Sequence, residues 1–229
     1  MQLRTLALAL AAASVTLVAC DDDDDITGLS ANNATVQFIN ATALSLDVAQ
    51  SGTVATGDGA LSYGTTSTCI TTDASNSNLA VRQTGTSTAL GGFTPSFLAG
   101  GKYSVIAYPG AGAATLFATV SNAFTPTAGQ GGLRVFNAAG AGTSYDIYIG
   151  AAGGSATTLA ANNVGYGSGS SYFNVTAGSA QQVRITNAGS QTVLLDAGSR
   201  TFTAGQNVTM VIAPPSGSTA PRAFFVTGC

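Results

Sequence analysis

An internal repeat spaced by about 100 residues constrains the fold of this chain more than any other feature. The first copy begins Thr-Val-Gln-Phe-Ile-Asn-Ala at residues 35–41, and the second begins Gly-Leu-Arg-Val-Phe-Asn-Ala at residues 132–138. Further matches keep the same order: 45–48 with 144–147, 62–64 with 165–167, 81–82 with 183–184, 97–106 with 202–211, and 116–118 with 224–226. The chain therefore holds one structural unit twice, with the length differences in loops rich in Gly and Ser.

Each copy alternates short runs of Val, Ile, Phe, Tyr and Thr with clusters of Gly, Asn, Ser and Pro, as strands and turns do. No window carries a sustained apolar period of 3.6, and the 29 glycines would weaken any helix. About seven short strands per copy is typical of an immunoglobulin-like sandwich. The sequence therefore predicts an all-β protein of two tandem immunoglobulin-like antiparallel β-sandwich domains, residues 34–126 and 131–229, with a linker at residues 122–132 that contains Pro126.

The first 19 residues have the layout of a secretory signal peptide, with Arg4 ahead of an apolar run from Leu6 to Val18. The ending Leu-Val-Ala-Cys resembles the bacterial lipoprotein signal, in which the cysteine takes a diacylglycerol and becomes the new N-terminus. An ordinary cleaved signal and an uncleaved anchor are the alternatives, although the run is shorter than the roughly 20 apolar residues of a spanning helix. We expect lipidation of Cys20.

Charge along the chain predicts a tether and excludes one class of partner. Asp21–Asp25 repel one another and stay solvated, so residues 20–33 would hold the folded part off a membrane. The remaining chain carries six cations and five anions in no cluster, which excludes nucleic-acid binding driven by counter-ion release. We therefore expect an exported protein that contacts the membrane through the lipid on Cys20, at the periplasmic face or the outer surface of the bacterial envelope.

Two cysteines remain once Cys20 is acylated, and they form an even pair in an oxidising compartment. A disulfide between Cys69 and Cys229 would close a loop of 160 residues and tie the second domain to the first. In the chain-entropy model such a loop contributes about 4–5 kcal/mol. Two free buried thiols are the alternative. In the repeat, Cys69 falls where the second copy has Tyr172.

The catalytic inventory is small, because the chain has no His and no Glu. Nucleophiles activated by His and the usual zinc sites are therefore excluded. Asp47 and Asp146 are equivalent in the repeat and belong to different domains, which favours a structural role as acceptors of hydrogen bonds from backbone amides in strand-end turns. We predict no catalytic residue, no metal, no cofactor and no enzymatic activity.

A turn of Asp73, Asn76 and Asn78 has a spacing that could place oxygens around Ca²⁺. The segment lacks a closing bidentate Glu, and clusters of Asp, Asn and Ser are typical of turns. We predict a turn here.

Four residues are weak candidates for ligand contacts. Tyr63 and Tyr166 stand in Tyr-Gly turns, where they could stack on sugars or cap the core. Arg82 and Arg184 match in the repeat, where they could bind an anionic group or serve as outward charges that discourage edge pairing.

The second copy reads Asp-Ile-Tyr-Ile (146–149), Val-Gly-Tyr-Gly (164–167), Tyr-Phe-Asn-Val-Thr-Ala-Gly (172–178) and Val-Arg-Ile (183–185). This order resembles the bacterial extracytoplasmic family known as domain of unknown function forty-three ninety-seven. The first copy resembles it more loosely and departs at Cys69 and at residues 73–78. The resemblance implies tandem domains on lipoproteins or cell-surface proteins and implies no activity. We expect a structural or interaction module with a protein or glycan partner. The alternative is a surface lipoprotein that binds a carbohydrate or small ligand.

Overall fold

The computed structural model describes residues 32–54, 59–216 and 220–229. Within those ranges it contains fifteen β-strands and no helix. The predicted signal peptide, Cys20, nearly all of the tether and Asp58 lie outside the described residues.

Seven strands build the first domain: β1 (Asn33–Asn40), β2 (Leu46–Gln50), β3 (Thr53–Val54), β4 (Ile70–Asp73), β5 (Leu79–Gln83), β6 (Lys102–Pro109) and β7 (Thr115–Ser121). They form one sheet in the order β4-β1-β6-β7 and a second in the order β3-β2-β5. The pair β1 and β6 is parallel, and the other pairs of this domain are antiparallel.

Eight strands build the second domain: β8 (Gln130–Asn137), β9 (Ser144–Ala151), β10 (Thr158–Gly165), β11 (Phe173–Thr176), β12 (Ala180–Asn187), β13 (Val193–Thr201), β14 (Asn207–Ala213) and β15 (Arg222–Thr227). Their sheets run β11-β8-β14-β15 and β10-β9-β12-β13, with β8 and β14 parallel. Two tandem all-β sandwiches, as predicted, are therefore confirmed. Where the second domain has β13, the described part of the first has only a bridge between Arg82 and Ala89.

A buried asparagine in each copy explains the Asn-Ala end of the repeat motif. Asn40 Nδ2 donates to the carbonyl oxygens of Leu44 and Leu61, both at 2.7 Å. Asn137 Nδ2 donates to the carbonyl oxygens of Thr143 and Val164, at 3.2 and 3.0 Å. Buried carbonyls need such donors, so the same side chain closes the same two loops in each domain.

Each sandwich has its own core, made by the strand residues that point between its two sheets. In the first domain Val36 and Val105 face Val48 and Val81 of the opposite sheet. In the second, Val135 and Met210 face Ile147 and Ile185. All eight side chains are at most 1% exposed, which is the burial expected of inner faces of a sandwich.

A third apolar cluster joins the two domains. The sheet faces that point away from each core pack against each other, and Ile39 and Ile106 of the first domain meet Phe136 and Val211 of the second. All four are at most 1% exposed. Strands β1, β6, β8 and β14 are consequently buried on both faces, which is why their sequences read as nearly continuous apolar runs.

The ladders correct one equivalence that the sequence suggested. Asp47 and Asp146 follow the equivalent buried residues Leu46 and Tyr145. In the β-ladders, however, Asp47 lies opposite Arg82, whereas Asp146 lies opposite Thr186. Arg184 lies opposite Tyr148 instead. The two arginines are therefore two residues out of register, and the match of Val81-Arg82 with Val183-Arg184 was wrong as a structural equivalence.

Candidate functional site

Two tyrosines form reciprocal hydrogen bonds across the domain interface. The Tyr63 hydroxyl of the first domain donates to the carbonyl oxygen of Pro214 in the second, at 2.5 Å. The Tyr166 hydroxyl of the second domain donates to the carbonyl oxygen of Pro109 in the first. Pro109 ends β6 and Pro214 follows β14, its counterpart in the repeat. The same contact is thus made in both directions, as an approximate two-fold axis between the domains requires.

The rings of these tyrosines pack within the interface. Tyr166 meets Tyr108 edge to face at 5.5 Å between ring centroids, and Tyr63 meets Phe224 at 6.3 Å. Burial raises the pKa of the Tyr63 hydroxyl above 10.0, although the charge of Arg222 opposes the shift. Burial also raises the pKa of Tyr166, and Tyr108 adds to that rise. Both hydroxyls therefore form hydrogen bonds within the interface. Sugar stacking by either ring stays a prediction.

Arg134 is the most buried cation of the interface, and the sequence analysis did not single it out. It occupies the outward position of β8 equivalent to Gln37 of β1 and is 4% exposed. Its guanidinium donates to Thr209 Oγ1 (2.9 Å), the Ser121 carbonyl oxygen (2.6 Å) and Asn122 Oδ1 (2.6 Å). Burial lowers the pKa of this guanidinium below its ordinary value, and the Tyr172 hydroxyl partly offsets that shift. The signal in the sequence that could have indicated this role is the single cation, Arg134, among the apolar residues of β8.

The residues that precede β4 and β11 hold the two domains together by different chemistry. Tyr172, before β11, stacks on Phe124 at 5.1 Å between centroids, and the Arg134 guanidinium lies 4.7 Å from the Tyr172 ring centroid. Cys69, before β4, forms the disulfide with Cys229, with 6.1 Å between Cα atoms. The predicted interdomain disulfide is confirmed. The disulfide and the stack of Tyr172 on Phe124 occupy equivalent positions, related by the approximate two-fold axis between the domains.

A cleft of about 800 Å³ opens beside the disulfide. Lys102 Nζ donates to the Cys229 carbonyl oxygen at 2.9 Å, and Asn207, the residue equivalent to Lys102, donates through Nδ2 to the carbonyl oxygens of Asn122 and Phe124. Each domain therefore holds the chain segment that leaves the last strand of the other. Lys102 Nζ and Asn207 Nδ2 are used in that contact, while the buried Asn207 Oδ1 has no hydrogen-bond partner among the described residues.

Asp47, Asp73 and Asp146 each accept hydrogen bonds from residues of their own domain. Asp146 accepts hydrogen bonds from the backbone amides of Asn163 (2.7 Å) and Gly189 (2.8 Å), which is the turn role predicted for it. Asp47 differs from the prediction, since it accepts from the Thr84 hydroxyl at 2.9 Å. Asp73 accepts from the Ser75 hydroxyl and from the backbone amides of Ser75 and Asn76, and these hydrogen bonds lower the pKa of its carboxyl. This carboxylate closes a turn.

Arg82 and Arg184 lie in different surroundings. Arg184 Nε is 3.5 Å from Asp196 Oδ2 on the outer face of the second domain, where it borders a groove of about 270 Å³. The Arg82 Nε is buried without a hydrogen-bond partner among the described residues. The structure thus places Arg184 at a groove, whereas Arg82 has its Nε buried.

Two further kinds of site are absent from the described ranges 32–54, 59–216 and 220–229. No group of three or more His, Cys, Asp or Glu side chains there is placed to hold a metal ion. No helix in those ranges is long and apolar enough to cross a membrane.

The fold and its interface define a class of protein, a tandem β-sandwich in which two copies of one unit, each with its own core, pack together through a third apolar cluster. The family model described as Domain of unknown function (DUF4397) matches residues 34–148 and again residues 133–227. The chain therefore belongs to this family, and the resemblance drawn from its strand and turn motifs is confirmed. No curated protein matches the sequence.

Proposed function

We propose that this chain is a lipid-anchored, non-catalytic protein of the bacterial cell envelope whose two sandwiches act together as a structural or interaction module. The observation that carries the proposal is the interface. One apolar cluster is drawn from both domains, and reciprocal tyrosine hydrogen bonds and a disulfide surround it. Two domains joined in this way hold their outer faces at a fixed spacing. A preorganised surface of that kind binds a partner without the entropic cost of ordering a linker.

The location rests on the N-terminal sequence and on the cysteines. Signal residues 1–19 and Cys20 support lipidation, and Asp21–Asp25 support a solvated spacer. The disulfide supports an oxidising compartment. A diacylglycerol supplies two acyl chains, which is the number that gives lasting attachment to a bilayer.

The non-catalytic role is supported by how the polar groups are used. Arg134, Tyr63 and Tyr166 bond within the interface, and Asp47 and Asp146 bond within separate domains. These groups hold the fold together.

Metabolic labelling tests the anchor. Cells that express the full chain are grown with an alkynyl fatty acid, and the immunoprecipitated protein is coupled to a fluorescent azide. We expect label on the unmodified chain and none on Cys20→Ser, with Cys69→Ser as the matched cysteine control that keeps the label. Label retained on Cys20→Ser would contradict lipidation at that residue.

Photo-cross-linking in cells tests the interaction role. A benzophenone amino acid is placed at single exposed apolar positions of the anchored chain, namely Leu98, Leu116, Leu159 and Val193. We expect one discrete envelope partner from neighbouring positions of one face, and no product from the buried control position Ile106. Absence of any product from all exposed positions would contradict a protein-binding role.

Substrate turnover abolished by a single Asp→Asn change would contradict the non-catalytic role.

A further inference from the structure

The second domain carries a groove on the outer face of its sheet β10-β9-β12-β13. Tyr148 of β9 and Arg184 of β12 are direct neighbours in the ladder, and both alternate with core residues, so their side chains point away from the core. The loop that follows β9 folds over this face and supplies the opposite wall through Ser155 and Ala156. The enclosed volume is about 270 Å³.

A glycine makes this wall possible. A Cβ atom at Gly150 would lie 2.9 Å from Ala156 Cα and 3.1 Å from the Ser155 carbonyl oxygen, closer than ordinary van der Waals contact. The loop can therefore lie on the sheet only because residue 150 has no side chain. Ala156 is 8% exposed as a result, so the groove has a packed wall.

The guanidinium of Arg184 has N–H donors in this groove that no described residue accepts from. Its Nε faces Asp196 Oδ2 at 3.5 Å, and Asp196 is itself held by the backbone amide of Gly198 at 2.9 Å and by the Gln182 side chain. This contact orients the guanidinium through Nε. In the described part of the chain, neither terminal nitrogen of Arg184 makes a hydrogen bond to another residue. Two such nitrogens in one plane match the two oxygens of a carboxylate.

The rest of the lining is neutral and rich in hydrogen-bonding groups. Among the described lining residues, Arg184 is the one charged side chain. Ser155, Thr157 and Gln191 offer hydroxyl and amide groups, and Tyr148 offers an aromatic face with a phenol at its edge. The volume lies below the roughly 300 Å³ at which pockets for drug-sized ligands begin, which suits a single small ring.

We propose that this groove binds a monosaccharide that carries a carboxylate, of the hexuronate type. Arg184 binds the carboxylate, Tyr148 packs on the ring, and the hydroxyl and amide groups bind the sugar hydroxyls. Val193 lines this groove and is also a cross-linking position, whereas Leu98 and Leu116 lie in the first domain, so failure of the sugar site would leave the interaction role standing.

Titration by saturation-transfer NMR tests the site on the full chain in detergent, with glucuronate as the probe and glucose as the uncharged comparison. We expect saturable binding of glucuronate and at least about tenfold weaker binding of glucose, because a charge-assisted double hydrogen bond is lost. Arg184→Gln and Tyr148→Ala should each weaken glucuronate binding by about tenfold or more. Arg82→Gln, a matched change in the first domain, should leave it unchanged.

Gly150→Ala gives an independent variant that removes no ligand contact. The added methyl group displaces the loop wall, so glucuronate binding should weaken while the melting temperature confirms that the chain still folds. Equal binding of glucuronate and glucose would overturn the role of the carboxylate. Equal losses in Arg82→Gln and Arg184→Gln would overturn the location, and absence of saturable binding would overturn the site.

Discussion

At the scale of single residues, the interface depends on polar side chains that are buried and almost fully paired. Arg134 donates to three acceptors and stacks on Tyr172, so its charge is distributed over neutral partners. A charged group in such a place is tolerated only while its hydrogen bonds are complete. Removing the donor leaves buried acceptors without partners, which costs more than the contact contributed.

Arg134→Met tests this account because Met keeps the apolar stem of the side chain and removes the guanidinium and its donors. We expect the free energy of unfolding to fall by about 2–4 kcal/mol, since Ser121 O and Asn122 Oδ1 lose their short hydrogen bonds. The exposed Arg222→Met is the matched control, with an expected change within about 0.5 kcal/mol. Urea unfolding curves give both values. Equal effects of the two changes would contradict a structural role for Arg134.

The interface tyrosines predict an alkaline limit to stability. The folded protein keeps the protons of Tyr63 and Tyr166 to a higher pH than the unfolded chain, whose tyrosines titrate near 10.0. Unfolding therefore releases protons above that pH, and stability falls as the pH rises towards the folded pKa values. We expect a melting temperature that these groups leave unchanged below pH 10 and that declines above it. The double change Tyr63→Phe/Tyr166→Phe should make the decline shallower, and an unchanged slope would contradict the assignment.

At the scale of strands, the sequence predicted the two sandwiches but not the contact between them. Short runs of Val, Ile, Phe, Tyr and Thr between clusters of Gly, Asn, Ser and Pro predicted the strands, and Asn40 and Asn137 close loops at the repeated Asn-Ala motif. The structure buries residues 105–108 on both faces, but an apolar run in a sequence does not say what covers the second face. The contact with Phe136 depends on how two separated segments meet in space.

The arginine equivalence failed for a local reason. Val-Arg occurs in β5 and in β12, but the two pairs stand two residues apart in their ladders. A shift of two residues keeps every side chain on its own face, so the apolar pattern cannot reveal it. Irregular register between β12 and β13, with a shift near Arg184, accompanies the difference. The cysteine pair was easier, because the predicted acylation of Cys20 leaves Cys69 and Cys229 with one possible partner each.

Two isoleucines of equal burial compare the interface with a sandwich core. Ile106 lies in the cluster between the domains, Ile147 lies inside the second sandwich, and both are 0% exposed. We expect Ile106→Ala and Ile147→Ala each to lower the free energy of unfolding by about 2–5 kcal/mol. Val193→Ala, at a residue 47% exposed, should change it by less than about 0.5 kcal/mol. A value for Ile106→Ala close to that of Val193→Ala would show that the interface is open in solution.

At the scale of the whole molecule, the disulfide and the interface restrain the same pair of domains. Loop closure over 160 residues contributes about 5 kcal/mol when the unfolded chain is otherwise free. We expect Cys69→Ser/Cys229→Ser to lower the free energy of unfolding by up to that amount while leaving the interface closed. Protection of the Ile106 and Val211 amides from hydrogen exchange should persist in this variant. Loss of that protection would mean that the disulfide alone holds the domains together.

Differential scanning calorimetry of the Cys69→Ser/Cys229→Ser variant tests the central claim most directly, because it asks whether the shared core makes one cooperative unit without the covalent link. The account predicts a single transition whose calorimetric and van't Hoff enthalpies agree. Two transitions, each with the enthalpy of one sandwich, would contradict it.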